Sequence, residues 1–179
     1  MNDKLIAGDL LLRPWLSSDA HSLALIANNK KIADNLRDAF PHPYSFQDAV
    51  RWLDMVIPQN IPAKFFAIEK EGRLTGSIGI VTKDDIYRKC CEIGYFIRED
   101  EWGKGIATQA IRIIAKYAFA NFDIVRLYAE PFSDNAGSRK ALEKAGFKHE
   151  ATLRQNVIKN GIVKDSCIYG LLRQEADIL

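Results

Sequence analysis

Cysteine is scarce in this chain. Cys90, Cys91 and Cys167 form no CxxC pair and have no histidine at metal-ligand spacing, which argues against a zinc module or a disulfide framework. All three fall in apolar-leaning strand patterns, so they read as buried reduced thiols of a cytoplasmic protein. Long apolar runs are missing too. No window approaches the ~20 apolar residues of a membrane span, and MNDKLIAGDLLLR lacks the apolar core of a signal peptide. Nor does one sign of charge dominate: the formal net charge is +2 and Lys and Arg are scattered. Neither nucleic acid nor an anionic membrane is therefore expected as a partner, although a charged substrate remains open. His21, His42 and His149 are dispersed and read as surface or loop residues. Internal repeats, low-complexity tracts and linkers are also wanting, so the 179 residues are expected to form a single domain, 1–179.

What the chain does have is concentrated between Cys91 and Ala118. From Cys90 to Phe96 the residues alternate, with Cys90, Glu92, Gly94 and Phe96 on one side and Cys91, Ile93, Tyr95 and Ile97 on the other, as a two-faced strand requires. After Gly105 the period changes. Ala107, Ala110, Ile111, Ile114 and Ala118 recur every three or four residues, opposite Thr108, Gln109, Arg112 and Lys116, which is the pattern of an amphipathic helix. Gly103 and Gly105 stand where strand hands over to helix. The amides of residues 103 to 108 are then uncovered at the positive end of a helix, an arrangement that attracts phosphate.

The rest of the chain surrounds this stretch. Asp9 to Trp15 reads as a first strand closed by Pro14. Ser17 or Ser18 then caps a helix whose Ala20, Leu23, Ala24 and Ala27 share a face. A short helix is expected around Ile32 to Leu36, followed by the loop DAFPHPY. Phe40 and Tyr44 in that loop either make a binding wall or tuck into the core. S-F-Q-D from Ser45 is a capping box, and Ala49, Trp52, Leu53, Val56 and Ile57 follow at helical spacing up to Pro58. FFAIE and LTGSIGIV are strands joined by a Lys70-Glu71-Gly72-Arg73 turn, and a third strand starts at Lys89, giving an antiparallel meander.

Val125 to Glu130 alternates again until Pro131. Because this strand follows a crossover helix, it is expected to run parallel to the strand before Gly103. Ser133 or Asp134 starts a helix that ends at Gly146, with Asn135, Ser138, Leu142 and Ala145 on one stripe. Phe147 to Lys159 and Ile162 to Leu172 read as strands joined by Asn160-Gly161, a hairpin signal.

This order of elements resembles the GNAT superfamily of acyl-CoA-dependent N-acyltransferases over nearly the whole chain. Its most specific parts are EIGYFI followed by WGKGIATQA, and NAGSRKALEKAGF with its trailing hairpin. With LRPW and PYS they resemble the RimJ/RimL branch, which acetylates ribosomal-protein N-termini. The resemblance implies an α+β fold: a mixed, mostly antiparallel sheet of about seven strands, splayed at one parallel pair, with helices on both faces.

It also implies acetyl transfer from acetyl-CoA to a primary amine, either a protein N-terminus or a small molecule such as a polyamine, amino acid or aminoglycoside, by a monomer or homodimer. Gly103, Lys104, Gly105, Ile106, Ala107 and Thr108 would cradle the CoA pyrophosphate without a metal. In the family pattern Q/R-x-x-G-x-G/A, Trp102 takes the first position, Gly105 the fourth and Ala107 the sixth. Main-chain groups of Phe96, Ile97 and Arg98 would pair with the pantetheine arm as with an added strand, and a backbone N–H near Ile97 would polarise the thioester carbonyl. Asn135 would reach the pantetheine or thioester region. Acceptor-binding loops of relatives fall at Asn35, Arg37, Phe40 and Tyr44. Glu150 and Asp165 flank the last hairpin and either order it or line the acceptor site.

For the chemistry itself, Glu92 matches a glutamate that serves as base in many members, directly or through water. Its other reading is an ion-paired sheet residue. Where many members carry a tyrosine acid this chain has Leu142. Ser138, in the pattern N-x-x-S, is the alternative donor to the leaving sulfur, unless its hydroxyl bonds back to its own helix. Tyr169 is a more distant choice, and a thiolate can also leave unassisted. Two rival readings remain. A dinucleotide-binding half, with Glu130 as its ribose contact, is opposed by the missing third glycine and the meander. A CoA-binding module without turnover draws some support from Leu142.

Overall fold

The computed structural model describes residues 4–58 and 62–176. Its strands are β1 (Leu5–Ala7), β2 (Leu10–Pro14), β3 (Phe65–Lys70), β4 (Arg73–Thr82), β5 (Cys90–Ile97), β6 (Arg126–Ala129), β7 (Lys148–Lys159) and β8 (Ile162–Leu172). The helices are α1 (Ala20–Ala27), α2 (Lys30–Ala33), α3 (Phe46–Val56), α4 (Ile106–Asn121), α5 (Ala136–Lys144) and α6 (Arg173–Ala176). One eight-stranded sheet runs in the order β1-β2-β3-β4-β5-β6-β8-β7. The eighth strand is β1, which Gly8, at a positive φ of 59°, folds back antiparallel onto β2. Three residues are too short a run to show as an alternation.

The chain forms two compact units, Met1–Gly79 with Tyr95–Ile106 and Ile80–Gly94 with Ala107–Leu179. In the first, Leu23, Ile26 and Ala27 of α1 and Ala49 and Leu53 of α3 close a core with Trp15, Tyr44, Ala67 and Leu74. Trp52 packs against that core and meets Trp15 edge-on at 5.2 Å. α3 starts as its sequence dictates: Ser45 Oγ accepts from the Asp48 N–H, and the Asp48 carboxylate accepts from the Ser45 N–H.

α1 starts differently from the expectation. Neither Ser17 nor Ser18 caps it, because a 3-10 turn, Ser17–Asp19, comes first and the Asp19 carboxylate takes the Leu16 N–H at 2.9 Å. Arg13 fixes that carboxylate with two nitrogens and reaches Glu69 with a third, a partly buried ionic knot.

In the second unit α4 buries Ala110, Ile111, Ile114 and Ala118 of the expected stripe together with Ala115, while Ala107 is half-buried, and Leu127, Ala129, Tyr169 and Leu171 are buried as well. β5 and β6 pair in parallel, Cys90–Glu92 opposite Arg126–Tyr128. The Asn160-Gly161 turn has both φ values positive, 52° and 77°, as a type I′ hairpin demands. β7 carries a bulge between Leu153 and Val157. At its centre Gln155 sits at φ 52° with its N–H donated to Asp165 Oδ1 at 2.8 Å.

Candidate active site

A strand that must release the chain into a helix within a few residues needs backbone angles that side chains resist. Gly103 and Gly105 supply them, at φ 78° and 80°, and a Cβ at either would meet only open space. α4 begins directly after, so its first amides have no helical partner. Among the described residues, no main-chain hydrogen bond outside the helix and strand ladders uses the amides of residues 103 to 105. Lys104 reaches Glu101 at 3.3 Å, and the Thr108 hydroxyl donates weakly to Ala141 O at 3.5 Å. The Ile106 side chain is buried. This is a nest of donors suited to a diphosphate.

The three residues before the link do not present the same edge. Lys89 O accepts from Val125 N at 2.9 Å, while Arg98 N donates to Thr75 O at 2.8 Å. Successive residues of a strand turn their main-chain groups to opposite edges. Phe96 and Arg98 therefore face β4, and Tyr95 and Ile97 face away from it. The Ile97 carbonyl accepts the indole N–H of Trp102 at 2.7 Å. The parallel register covers only Cys90–Glu92, and β5 continues to Ile97.

Glu92 is 7% exposed, and its Oε2 accepts from Lys83 Nζ at 3.0 Å and from the Tyr128 hydroxyl at 3.3 Å. The bond to Glu92 raises the Lys83 pKa, while burial raises that of Tyr128. Lys83 also lies 5.6 Å from the centre of the Tyr128 ring. Sequence reasoning named neither partner. Lys83 sits in a turn, and Tyr128 counted only as one alternating residue of a strand.

α5 begins at Ala136, two or three residues later than expected, because Asn135 rather than Ser133 or Asp134 caps it. Its Oδ1 accepts the Ser138 N–H at 3.1 Å. Ser138 is half-buried, and Leu142 is fully buried. The Tyr169 hydroxyl, 0% exposed, donates to Glu143 at 2.8 Å and accepts from Arg139 Nε at 3.1 Å, so it braces α5 against β8.

In the first unit Phe40 packs on Tyr44 at 4.8 Å and on Phe96 at 5.6 Å, and Tyr44 is buried, which pushes its phenol up to about 12. Asn35 Nδ2 folds back onto Lys31 O. Arg37 lies in the turn that Phe40 N closes onto its carbonyl. Asn29 Nδ2 donates to Glu99, which also pairs with Lys31. A groove of about 500 Å³ is lined by Leu25, Ile26, Asn28, Asn29, Arg98, Glu99 and Asp100. Glu150 pairs with Arg126.

A cluster that sequence reasoning missed surrounds Glu130, considered only as a ribose contact in the dinucleotide reading. Glu130 Oε1 accepts from Ser166 Oγ at 2.8 Å and from Asn156 Nδ2 at 2.9 Å, with Asn156 also donating to Ser166 Oγ at 2.8 Å. No group of three or more His, Cys, Asp or Glu side chains that could hold a metal occurs among the described residues. No helix of the described residues is long and apolar enough to cross a membrane.

Comparison with known proteins shows the family and the fold. Residues 9–148 match the family described as Acetyltransferase (GNAT) domain. The chain is 38% identical over 101 residues to the probable N-acetyltransferase YjcK of Bacillus subtilis, covering 55% of this chain and 56% of that one. The chain thus spans a little over half the length of the curated relatives it matches first. It is 25% identical over 167 residues to the spermidine N(1)-acetyltransferase of Escherichia coli, covering 91% of this chain and 87% of that one. Among solved structures, RimL, a ribosomal L7/L12 alpha-N-protein acetyltransferase in complex with coenzyme A, shares the fold. Its TM-score is 0.85 at 20% identity, over 95% of this chain and 98% of that one.

Proposed function

Since the chain belongs to the GNAT acetyltransferase family, we propose that it moves the acetyl group of acetyl-CoA directly onto a primary amine, with a protein N-terminal α-amine as the acceptor. One observation carries the cofactor half of this reading. Two glycines at positive φ deliver the chain into α4, and among the described residues the amides of 103 to 105 make no main-chain hydrogen bond outside the helix and strand ladders; with the first amides of the helix they offer the donor set a diphosphate takes without a metal. Trp102 holds the turn before them through Ile97 O. The Ile97 N–H lies on the strand edge away from β4, where a pantetheine arm adds as a strand would and where the same N–H polarises the thioester carbonyl. Asn135 caps the helix that carries Ser138, whose hydroxyl supports the departing sulfur.

Direct transfer then needs a neutral amine. An α-amine with pKa ~8 is only partly charged near neutrality, so a carboxylate on the polar sheet face suffices as base. The acceptor half rests on the RimL likeness and on the half-buried pair Phe40 and Phe96 in the first unit, with Tyr44 in the core beneath Phe40. The second reading, a small polyamine, rests on the likeness to the spermidine enzyme.

The test is release of CoA thiol from acetyl-CoA with a panel of short peptides bearing free N-termini, beside spermidine, amino acids and an aminoglycoside. Peptides should turn over with the highest kcat/KM. A tenfold preference for spermidine would transfer the assignment to the polyamine class, and thiol release with no acceptor at all would leave only a CoA-binding module.

A further inference from the structure

Two carboxylates at the β5–β6 pair of the second unit, Glu92 and Glu130, are candidates to take the acceptor's proton, and their surroundings differ. Glu92 and Tyr128 are direct partners in the parallel register of β5 and β6. Glu130 follows Tyr128 by two residues, on the same face and about 7 Å further along the strand, where β6 has ended at Ala129. Glu92 is held by a cation, Lys83. Its Oε2 already accepts from both the Lys83 ammonium and the Tyr128 hydroxyl, so that oxygen is taken up within the sheet face.

Glu130 has no cationic partner among the described residues. Among the described residues its hydrogen bonds come from two neutral groups, Ser166 Oγ and Asn156 Nδ2, and both fall on Oε1. Oε2 is left over, on a residue that is half-buried rather than sealed.

The neighbourhood is built to hold it there. Ser166 is fully buried, so its hydroxyl has few other places to go. Asn156 faces Glu130 only because β7 bulges between Leu153 and Val157, and that bulge keeps Gln155 at φ 52°. A non-glycine residue at positive φ is a strained choice that persists where the surroundings impose it, and bulges beside active sites re-aim side chains in this way. Asp165 completes the device by accepting the Gln155 N–H at 2.8 Å. Strain, a buried hydroxyl and an amide thus converge on one oxygen of a carboxylate and orient the other.

We propose that Glu130 is the general base of the acetyl transfer, with Asn156 and Ser166 as its positioning residues and Glu92 as an ion-paired member of the sheet face. The inference rests on the acetyltransferase reading above. As the amine nitrogen forms its bond to the acyl carbon and the carbon–sulfur bond breaks, Glu130 Oε2 takes the proton that nitrogen must lose. Glu130 then returns that proton to solvent, and the CoA thiolate gains one. The balance is an amide and a free thiol from an amine and a thioester.

The experiment compares native enzyme with Glu130→Gln, Glu130→Asp and Glu130→Ala, using acetyl-CoA and the best peptide of the panel. Glu130→Gln should lose about 10²–10⁴ in kcat and the carboxylate limb of the pH–rate profile, with CoA binding by calorimetry unchanged. Glu130→Asp should recover part of the rate, and added formate should restore at least tenfold to Glu130→Ala. A Glu130→Gln enzyme within twofold of native overturns the inference alone. So does a slowed enzyme whose pH profile is unaltered and whose alanine variant formate does not rescue. A native enzyme that acetylates no amine overturns the acetyltransferase reading and this inference together.

Discussion

The indole Nε1 of Trp102 donates to the main-chain carbonyl of Ile97 at 2.7 Å. The bond closes a six-residue turn, Ile97 to Trp102, containing the acidic segment Glu99–Glu101 and ending directly before Gly103. Trp102 stands where the family pattern has Gln or Arg, and the bond shows what the indole contributes: a fixed exit angle for the chain. Trp102→Phe keeps the ring and removes the donor. We expect KM for acetyl-CoA to rise severalfold with kcat nearly unchanged, measured by initial rates over a range of acetyl-CoA. A fall in kcat at constant KM would contradict a role confined to binding.

Gly105 at φ 80° cannot take a Cβ without strain, although space is available for one. The left-handed region costs an L-residue about 1–2 kcal/mol, and the chain can relieve that cost by turning the 105–108 amides away. Gly105→Ala is therefore expected to weaken CoA binding by about tenfold in calorimetry while shifting Tm by no more than a few degrees. Equal losses of binding and stability would mean that the glycine serves folding alone.

Much of this site was legible because it is written in local signals. A change from alternation to a period of 3.6 located α4, and Asn160-Gly161 located a hairpin, since turn type and helix face depend on neighbours in sequence. Asn135 was legible as a family position, though not as the cap that starts α5 late. Lys83, Tyr128, Ser166 and Asn156 were not legible. Each acquires its role from a strand distant in sequence, and the β7 bulge that turns Asn156 inward leaves no mark beyond a glutamine in an exposed strand. The same holds for Phe40 and Tyr44, whose two readings differ only in burial.

The Lys83–Glu92 pair invites its own measurement. Glu92 is nearly buried, so removing its cation leaves a carboxylate poorly solvated. Lys83→Met should cost about 1–3 kcal/mol, and the Lys83→Met/Glu92→Gln double variant should recover part of that loss, read from urea unfolding. If Glu92 is structural, Glu92→Gln alone keeps kcat within a few-fold of native.

Acid should unfold the protein through its surface carboxylates. Asp48, Glu99, Asp100, Asp123, Glu150 and Glu175 all sit below their ordinary values. Hydrogen bonds to Ser45, Lys31, Arg98, Lys89, Arg126 and Lys148, respectively, are the leading causes. A depressed folded-state pKa means that the folded state binds fewer protons than the unfolded one near these values. The stability is then fully present above the ordinary carboxylate range and is lost as pH falls through and below about 4. Tm should be flat from pH 6 to 8 on account of these groups and drop steeply below about 4.5, and 0.5 M salt should flatten the drop because most of the pairs are exposed. A Tm that rises on acidification would refute the assignment.

Arg173 closes the far end of α4. Its guanidinium donates to Ile124 O at 2.9 Å and 2.7 Å, to Phe119 O at 2.6 Å and to Phe122 O at 3.1 Å, and it lies 5.3 Å from the Phe119 ring centre. Phe119 O is one of the last four carbonyls that a helix leaves without partners, where its potential is negative, and Phe122 O and Ile124 O belong to the chain just past the helix, so the forked cation ties the helix end to the segment leaving it. Because α4 is the same helix whose other end offers amides to the diphosphate, fraying at Asn121 should cost stability without touching the cradle. Arg173→Ala is expected to lose about 1–2 kcal/mol, or several degrees in Tm for a chain of this size. Arg173→Lys should recover only part of it, since one ammonium cannot span three carbonyls. KM for acetyl-CoA should stay within twofold of native in both variants. A larger rise in KM would mean that the helix transmits its C-terminal fraying to the glycine link.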